Sequence, residues 1–169
     1  MPIVQIRHGS RLCQNQANHR LKNTVTFIAI KVVIDTNIVL DLFVFDDPES
    51  KQLKSALLDG LANKQLTWLS TQAMRDELER VLAYPKIMSR MAFYKVSSDS
   101  VMQQFDKTVT LVESAPKAAW VCKDPDDQKF IDLAVQHQTQ LFSKDRAVLC
   151  MAKRLQSAGV LVHLPSHFT

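Results

Sequence analysis

Short runs of β-branched and aliphatic residues alternate with amphipathic stretches along most of the chain, and this alternation restricts the fold more than any other feature. The run TVTFIAIKVVI (24–34) stops at the polar Asp35-Thr36-Asn37, with Lys31–Ile34 its clearest strand. LTWL spans Leu66–Leu69, TQLF spans Thr139–Phe142, and VLVHL spans Val160–Leu164. Between them lie helical patterns. Asn37–Phe45 reads as a short helix, and Asp47-Pro48-Glu49 opens a longer one to Ala62, with Pro48 in a permitted first-turn position. Ser70 or Thr71 caps a helix to Ala83, Pro85 starts another, and Ser98–Val112 is amphipathic. Ala118–Val121 reads as a short strand or extended connector. Asp124-Pro125 opens a helix to Gln138, and Asp145–Ser157 forms one that Gly159 stops. Strands separated by helices of about 10–15 residues predict βαβ crossovers around a parallel sheet, an α/β fold.

At 169 residues and 46% hydrophobic, the chain suits a single domain with one sheet. Its apolar runs fall short of the roughly 20 residues a membrane helix needs, so no membrane partner is expected. The formal charge of +4 is unevenly placed. Arg7, Arg11, Arg20, Lys22 and Lys31 meet no acid before residue 32, leaving 16 basic against 17 acidic side chains in the rest. The basicity therefore belongs to the N-terminal segment, which argues against a polybasic nucleic-acid binder. Residues 1–30 read as a basic, poorly ordered extension and residues 31–169 as the domain. The extension is expected to be either a dispensable tail or an upstream reading of the start. Cys13, Cys122 and Cys150 form no C-x-x-C pair, which suits a reducing compartment and neither a disulfide frame nor a zinc site. The apolar run after the N-terminal bases imitates a signal peptide, but Lys31 and a second apolar run follow without a small-residue cleavage site. The acid-free, Arg-bearing start also imitates an organellar transit peptide. The cytoplasm is the expected location.

Parallel sheets bind ligands beyond the carboxyl ends of their strands, where strand order reverses. Asp35 closes the first strand, and Ser143 and Asp145 follow the strand at 139–142, so distant acids can meet there. On the helix 71–83, Met74, Leu78, Val81 and Leu82 form the apolar stripe, at about 100° per residue. Glu77 lies nearest that stripe, Asp76 points away, and Glu79 can pair with neighbouring bases. In CKDPDDQKF, Asp124 can act as N-cap with Asp126 and Asp127 complementing the helix dipole. Asp127 aligns with Phe130 and Ala134 on the buried face. Asp126 is its neighbouring alternative, and periodicity does not separate the two.

VVIDTNIVLD, STQAMRDELERVLAYPK, CKDPDDQKFIDLA and LFSKDRAVL occur in this order over residues 31–165. Together they resemble the PIN-domain nuclease family, and within it the bacterial toxin components of toxin–antitoxin pairs. The resemblance implies a three-layer α/β/α sandwich with a central parallel sheet, PIN-like and broadly Rossmann-like. It implies an acidic pocket that binds Mg²⁺ or Mn²⁺ and hydrolyses phosphodiester bonds, usually in RNA. By that resemblance Asp35, Glu77, Asp127 and Asp145 are the metal-binding and catalytic carboxylates. Asn37 and Ser143 support them, as do Asp124 and Asp126. Lys123, Lys129, Lys144 and Arg146 flank the acids and could hold RNA phosphates. A small antitoxin and a homodimer are the partners it implies. Two features depart from the family: an acid common two residues after the SKD aspartate is Ala147 here, and the N-terminal extension lies outside the resemblance.

The chemistry suits this donor set. Hard divalent cations polarise phosphate and activate water, and they take oxygen ligands without histidine or thiolate. Two carboxylates 5 Å apart repel by about 3 kcal/mol at an effective dielectric of 20, so gathering four calls for a counter-cation. Two other functions stay open: an RNA-binding or scaffolding domain with a decayed metal site, which Ala147 favours, and a nuclease for structured DNA. Trp68 and Trp120 could stack bases but sit where core residues are usual, and His137 reads as a packed helix residue.

Overall fold

The computed structural model describes residues 29–45 and 47–167. The N-terminal extension, up to residue 28, and the first part of the run 24–34 lie outside the described residues. Five strands form one sheet: β1 (Ile30–Ile34), β2 (Leu66–Thr71), β3 (Val109–Val112), β4 (Gln140–Phe142) and β5 (Leu161–His163). All pair in parallel, in the order β3-β2-β1-β4-β5. The chain builds outward from β1 in one direction, then returns to β4 on its other side. The strand order therefore reverses between β1 and β4.

Side-chain alternation along the strands makes the sandwich. Val32, Ile34, Trp68 and Phe142 enter one core, with Ile38, Leu42, Leu53, Leu57, Leu78, Leu82, Val101 and Phe105. Val33, Leu69 and Leu141 point the other way, into Phe130, Ile131, Leu133, Ala134, Val148, Leu155 and Val160. The first face is covered by α1 (Thr36–Leu40), α2 (Lys51–Ala62), α3 (Gln72–Leu82), α4 (Pro85–Tyr94) and α5 (Ser98–Thr108). The second is covered by α6 (Gln128–His137), α7 (Arg146–Leu149) and α8 (Ala152–Gln156). A parallel sheet so covered is the three-layer α/β/α sandwich expected from the alternation. Trp68 is enclosed between Phe43 and Phe105 and is a core residue, closed to base stacking.

Three local expectations are corrected, and one open alternative is decided. The helix from Ser98 does not reach Val112; it ends at Thr108, and Val109–Val112 pairs with Trp68–Thr71 as the edge strand. Thr108 Oγ1 turns back on the carbonyls of Gln104 and Phe105, and the following Val-Thr-Leu-Val suits a pleated edge better than a helix. Ala118–Val121 is a connector without strand pairing. The helix expected from Asp124 begins at Gln128, because Asp124 Oδ1 accepts the amide of Asp126 at 2.9 Å and folds the acidic segment into a turn. The last helix is split into α7 and α8 at Cys150–Met151. Two helix ends follow the sequence as read: Thr71 accepts the Met74 amide at the start of α3, and Gly159 adopts φ +79° before β5.

Candidate active site at the strand reversal

Ile34 and Phe142 are register partners, so the residues that follow them emerge side by side at the strand reversal. Ser143 Oγ donates to Asp35 Oδ2 at 2.7 Å and accepts the Asp145 amide at 2.9 Å. The Asp35 amide donates to the Phe142 carbonyl at 3.0 Å. Asp35 Oδ1 receives the backbone amide of Asn37 at 3.3 Å, making Asp35 the cap of α1. Asn37 thus supports the loop through its main chain while its side chain is exposed. Asp145 caps α7 in the same way, its Oδ1 accepting the Ala147 amide at 2.6 Å. Two strand ends and two helix starts therefore anchor these two acids.

The other two acids arrive from opposite faces of the sheet. Glu77 is set by α3, which Arg75 ties to α5 through a forked pair with Asp106 at 2.7 and 2.8 Å. Glu79 joins Arg75 at 3.6 Å and Asp76 bonds Gln72, so neither turns toward the strand ends. Asp127 occupies the N-cap position of α6, yet its carboxylate makes no capping bond. Gln128 fastens the incoming connector, accepting the Cys122 amide at 2.7 Å and donating to the Trp120 carbonyl at 3.1 Å and to Asp132 at 2.6 Å. Asp132 also accepts the Ala118 amide at 2.9 Å. The polar pair at 128 and 132, one turn apart, is the sequence signal for this strap.

Electrostatics group the four acids. Asp35 is 2% exposed. Burial raises its pKa above the usual carboxylate value, the Ser143 and Asn37 hydrogen bonds oppose the rise, and the charges of Glu77 and Asp145 add to it. Asp127 is pushed up to about 7 by burial and by the carboxylates of Asp35, Asp145 and Asp124, with Lys129 pulling the other way. Asp126 and Asp124 are exposed, with their turn directed outward, so Asp127 is the member of the segment that faces the cluster.

The flanking cations divide into two kinds. Lys129 Nζ pairs with Glu77 Oε2 at 2.5 Å. Lys144 is clasped by Asp41 and Asp47 at 2.8 Å each, with Glu49 at 3.9 Å. Burial works against its charge, and the hydrogen bonds and charges of Asp41 and Asp47 outweigh this, leaving its pKa raised. Both ammonium groups are thus engaged within the fold, whereas the exposed side chains of Lys123 and Arg146 have no ion-pair partner among the described residues. Sequence reasoning missed the Lys144 clasp, because nothing local links residues 41, 47 and 144.

Among the described residues, no three His, Cys, Asp or Glu side chains stand as a ready-made ligand cluster. The donor set nonetheless fits a hard divalent cation. It is all oxygen, its negative charges exceed the nearby cations, and Asp127 Oδ2 is buried without a hydrogen-bond partner among the described residues.

The molecule is thus a parallel α/β/α sandwich with Asp35 and the Asp145 loop joined through Ser143 at its strand reversal. The PIN domain family model matches residues 31–147, and the chain belongs to the PIN domain family. PIN domains are nucleases and generally use a divalent metal. No match is found among curated protein sequences. Among solved structures, the chain is similar to one from VapBC2 of Rickettsia felis bound to a DNA fragment from their promoter. That similarity has TM-score 0.52 and 11% identity, and covers 80% of this chain and 98% of the other. A chain of FitAB bound to the IR36 DNA fragment gives TM-score 0.46 and 15% identity, over 82% and 97% of the two chains. Among the described residues no helix is long and apolar enough to cross a membrane.

Proposed function

We propose that this chain is a Mg²⁺- or Mn²⁺-dependent endoribonuclease that hydrolyses RNA phosphodiester bonds in the cytoplasm. In this reading it is the toxin of a toxin–antitoxin pair, a homodimer restrained by a small antitoxin. The observation that carries it is the buried, unpartnered Asp127 Oδ2 beside the strand-end acids, whose charges raise the pKa values of Asp35 and Asp127. Asp41 Oδ2 and Glu77 Oε2 are each held by a lysine, whereas among the described residues Asp127 Oδ2 has neither a hydrogen bond nor an ion pair.

Asp35, Glu77, Asp127 and Asp145 would hold the cation. Bound there, the metal would polarise the phosphate and lower the pKa of water. Ser143 fixes the orientation of Asp35 and ties it to the Asp145 loop, so the two central acids are set before substrate arrives. Lys129 neutralises Glu77, which limits repulsion in the metal-free pocket. The VapBC2 assembly of the similar structure supports looking for a second, small component beside this chain.

The test is cleavage of end-labelled RNA and DNA by wild type and Asp35→Asn, with Mn²⁺ or EDTA. RNA cleavage that needs both Mn²⁺ and Asp35 is expected. Cleavage of structured DNA instead would reassign the substrate. Ala147 supports a second reading, a non-catalytic RNA-binding or scaffolding domain: where relatives carry a further acid, this chain offers only a backbone amide to Asp145. RNA binding without cleavage at any metal concentration would select it.

A further inference from the structure

Beside the acid pocket lies a cavity of about 630 Å³ with the opposite charge. Lys123, Arg146 and Arg154 line it, over a floor that includes Cys122, Ala147 and Met151. Among the described residues none of the three basic side chains has an ion-pair partner, in contrast with Lys129 and Lys144. Three exposed cations line one hollow whose lining holds no carboxylate, a charge distribution that favours an anion there. The volume lies within the roughly 300–1,000 Å³ of ordinary ligand sites.

Position says which anion. Ala147 belongs to the cavity wall, and its amide is bonded to Asp145 of the acid pocket. Cys122 lies in the same wall, close enough to Asp127 for that carboxylate to affect its thiol. The two pockets therefore share a border, negative on one side and positive on the other. A polymer whose scissile phosphate sits over the acids must carry its neighbouring phosphates away from them. Guanidinium forks match phosphate oxygens two at a time, and the apolar floor suits a sugar or base.

We propose that this cavity is the subsite for backbone phosphates of single-stranded RNA next to the bond to be cut, with Arg146 and Arg154 its main contacts and Lys123 at its mouth. The assignment deepens the nuclease reading and rests on it for the identity of the polymer.

Binding and cleavage separate the two ideas. In EDTA, the full-length Asp35→Asn protein is titrated with a fluorescent single-stranded RNA oligonucleotide. Arg146→Gln and Arg154→Gln should each weaken binding about tenfold. Each should also flatten the slope of log affinity against log salt by about 0.7. The exposed Lys86→Gln should change neither. Exposed Cys150 lines the same cavity and gives a second readout. In a Cys13→Ser background, RNA should slow its alkylation by N-ethylmaleimide. Unchanged affinity in both arginine variants, with Cys150 alkylated at the same rate, overturns the proposal. So does protection by polyglutamate but not by RNA, which would assign the cavity to an acidic protein segment. Single-stranded DNA bound as tightly as RNA removes RNA as the specific occupant. With Mn²⁺ and Asp35 present, Arg154→Gln should raise KM and leave kcat unchanged. Arginine-dependent RNA binding without cleavage of any RNA by wild type would keep the subsite and sink the nuclease reading.

Discussion

Two acidic clusters flank the end of β4, and they solve the same electrostatic problem differently. On one side Asp41, Asp47 and Glu49 surround Lys144, whose ammonium bonds two of them directly. That cluster supplies its own cation, and it joins the segment after α1 to the β4 loop. On the other side, among the described residues, Lys129 is the one cation that pairs with any of Asp35, Glu77, Asp127 and Asp145, and it is committed to Glu77. Burial raises Asp41 as it raises Asp35 and Asp127, but Lys144 pairs with the Asp41 oxygen, whereas among the described residues Asp127 Oδ2 is buried with neither a hydrogen bond nor an ion pair. A charge cluster completed by the chain acts as a fastener, and one left incomplete invites a ligand.

The largest expected effect breaks the incomplete cluster. Outer-shell partners of metal sites typically cost 10–100-fold when removed, so loss of a direct ligand should cost at least about 100-fold. Asp35→Asn should therefore lower single-turnover RNA cleavage by that factor or more; a change of a few-fold would remove Asp35 from the metal's ligands. Adding a divalent cation should stabilise the fold. Mn²⁺ at about 100 times its dissociation constant adds about 2.7 kcal/mol, a rise in Tm of about 5–11 °C, and Asp35→Asn should shrink it. Identical melting curves with Mn²⁺ and with EDTA would count against the metal pocket.

Removing the internal cation tests the other side of the contrast. Lys144→Met leaves Asp41 and Asp47 facing each other. Breaking a buried pair costs several kcal/mol, reduced here to about 2 kcal/mol because the side chain is 29% exposed. The expected fall in Tm is about 4–8 °C, with no specific rescue by Mn²⁺. The smallest effect is a pH dependence. Asp127 holds its proton up to about pH 7 in the fold, but only to about pH 4 in the unfolded chain. Between those values the native state binds the extra proton, so this residue's contribution to stability falls as pH rises and is lost above pH 7. In EDTA at pH 8, Asp127→Asn should melt a few degrees above wild type, and Mn²⁺ should reverse that order. No difference at pH 8 would mean that Asp127 is solvated.

The parts legible beforehand are those with local causes. Asp35 was placed at a strand end because β-branched residues stop abruptly at Asp-Thr-Asn, and a strand end in a parallel sheet is where ligands collect. Glu77 was separated from Asp76 by helical phase alone. The misread elements have tertiary causes. Val109–Val112 extends an amphipathic helix in sequence, yet an open edge beside β2 offers four residues a ladder that no local pattern announces. Asp124 resembles a helix cap until its carboxylate folds the segment into a turn and delays α6 to Gln128.

Periodicity and β-branched composition determined the parallel α/β/α sandwich, because burial of alternating faces leaves few arrangements for such a chain. They also determined which acids stand at the strand ends. The three-dimensional fold alone decided that Asp127 turns inward while Asp126 stays in solvent, that Lys144 is absorbed by a fastener, and that Arg146 and Arg154 share one hollow. Those outcomes depend on charges brought together from remote positions, and Coulomb energy follows distance in space, not separation along the chain.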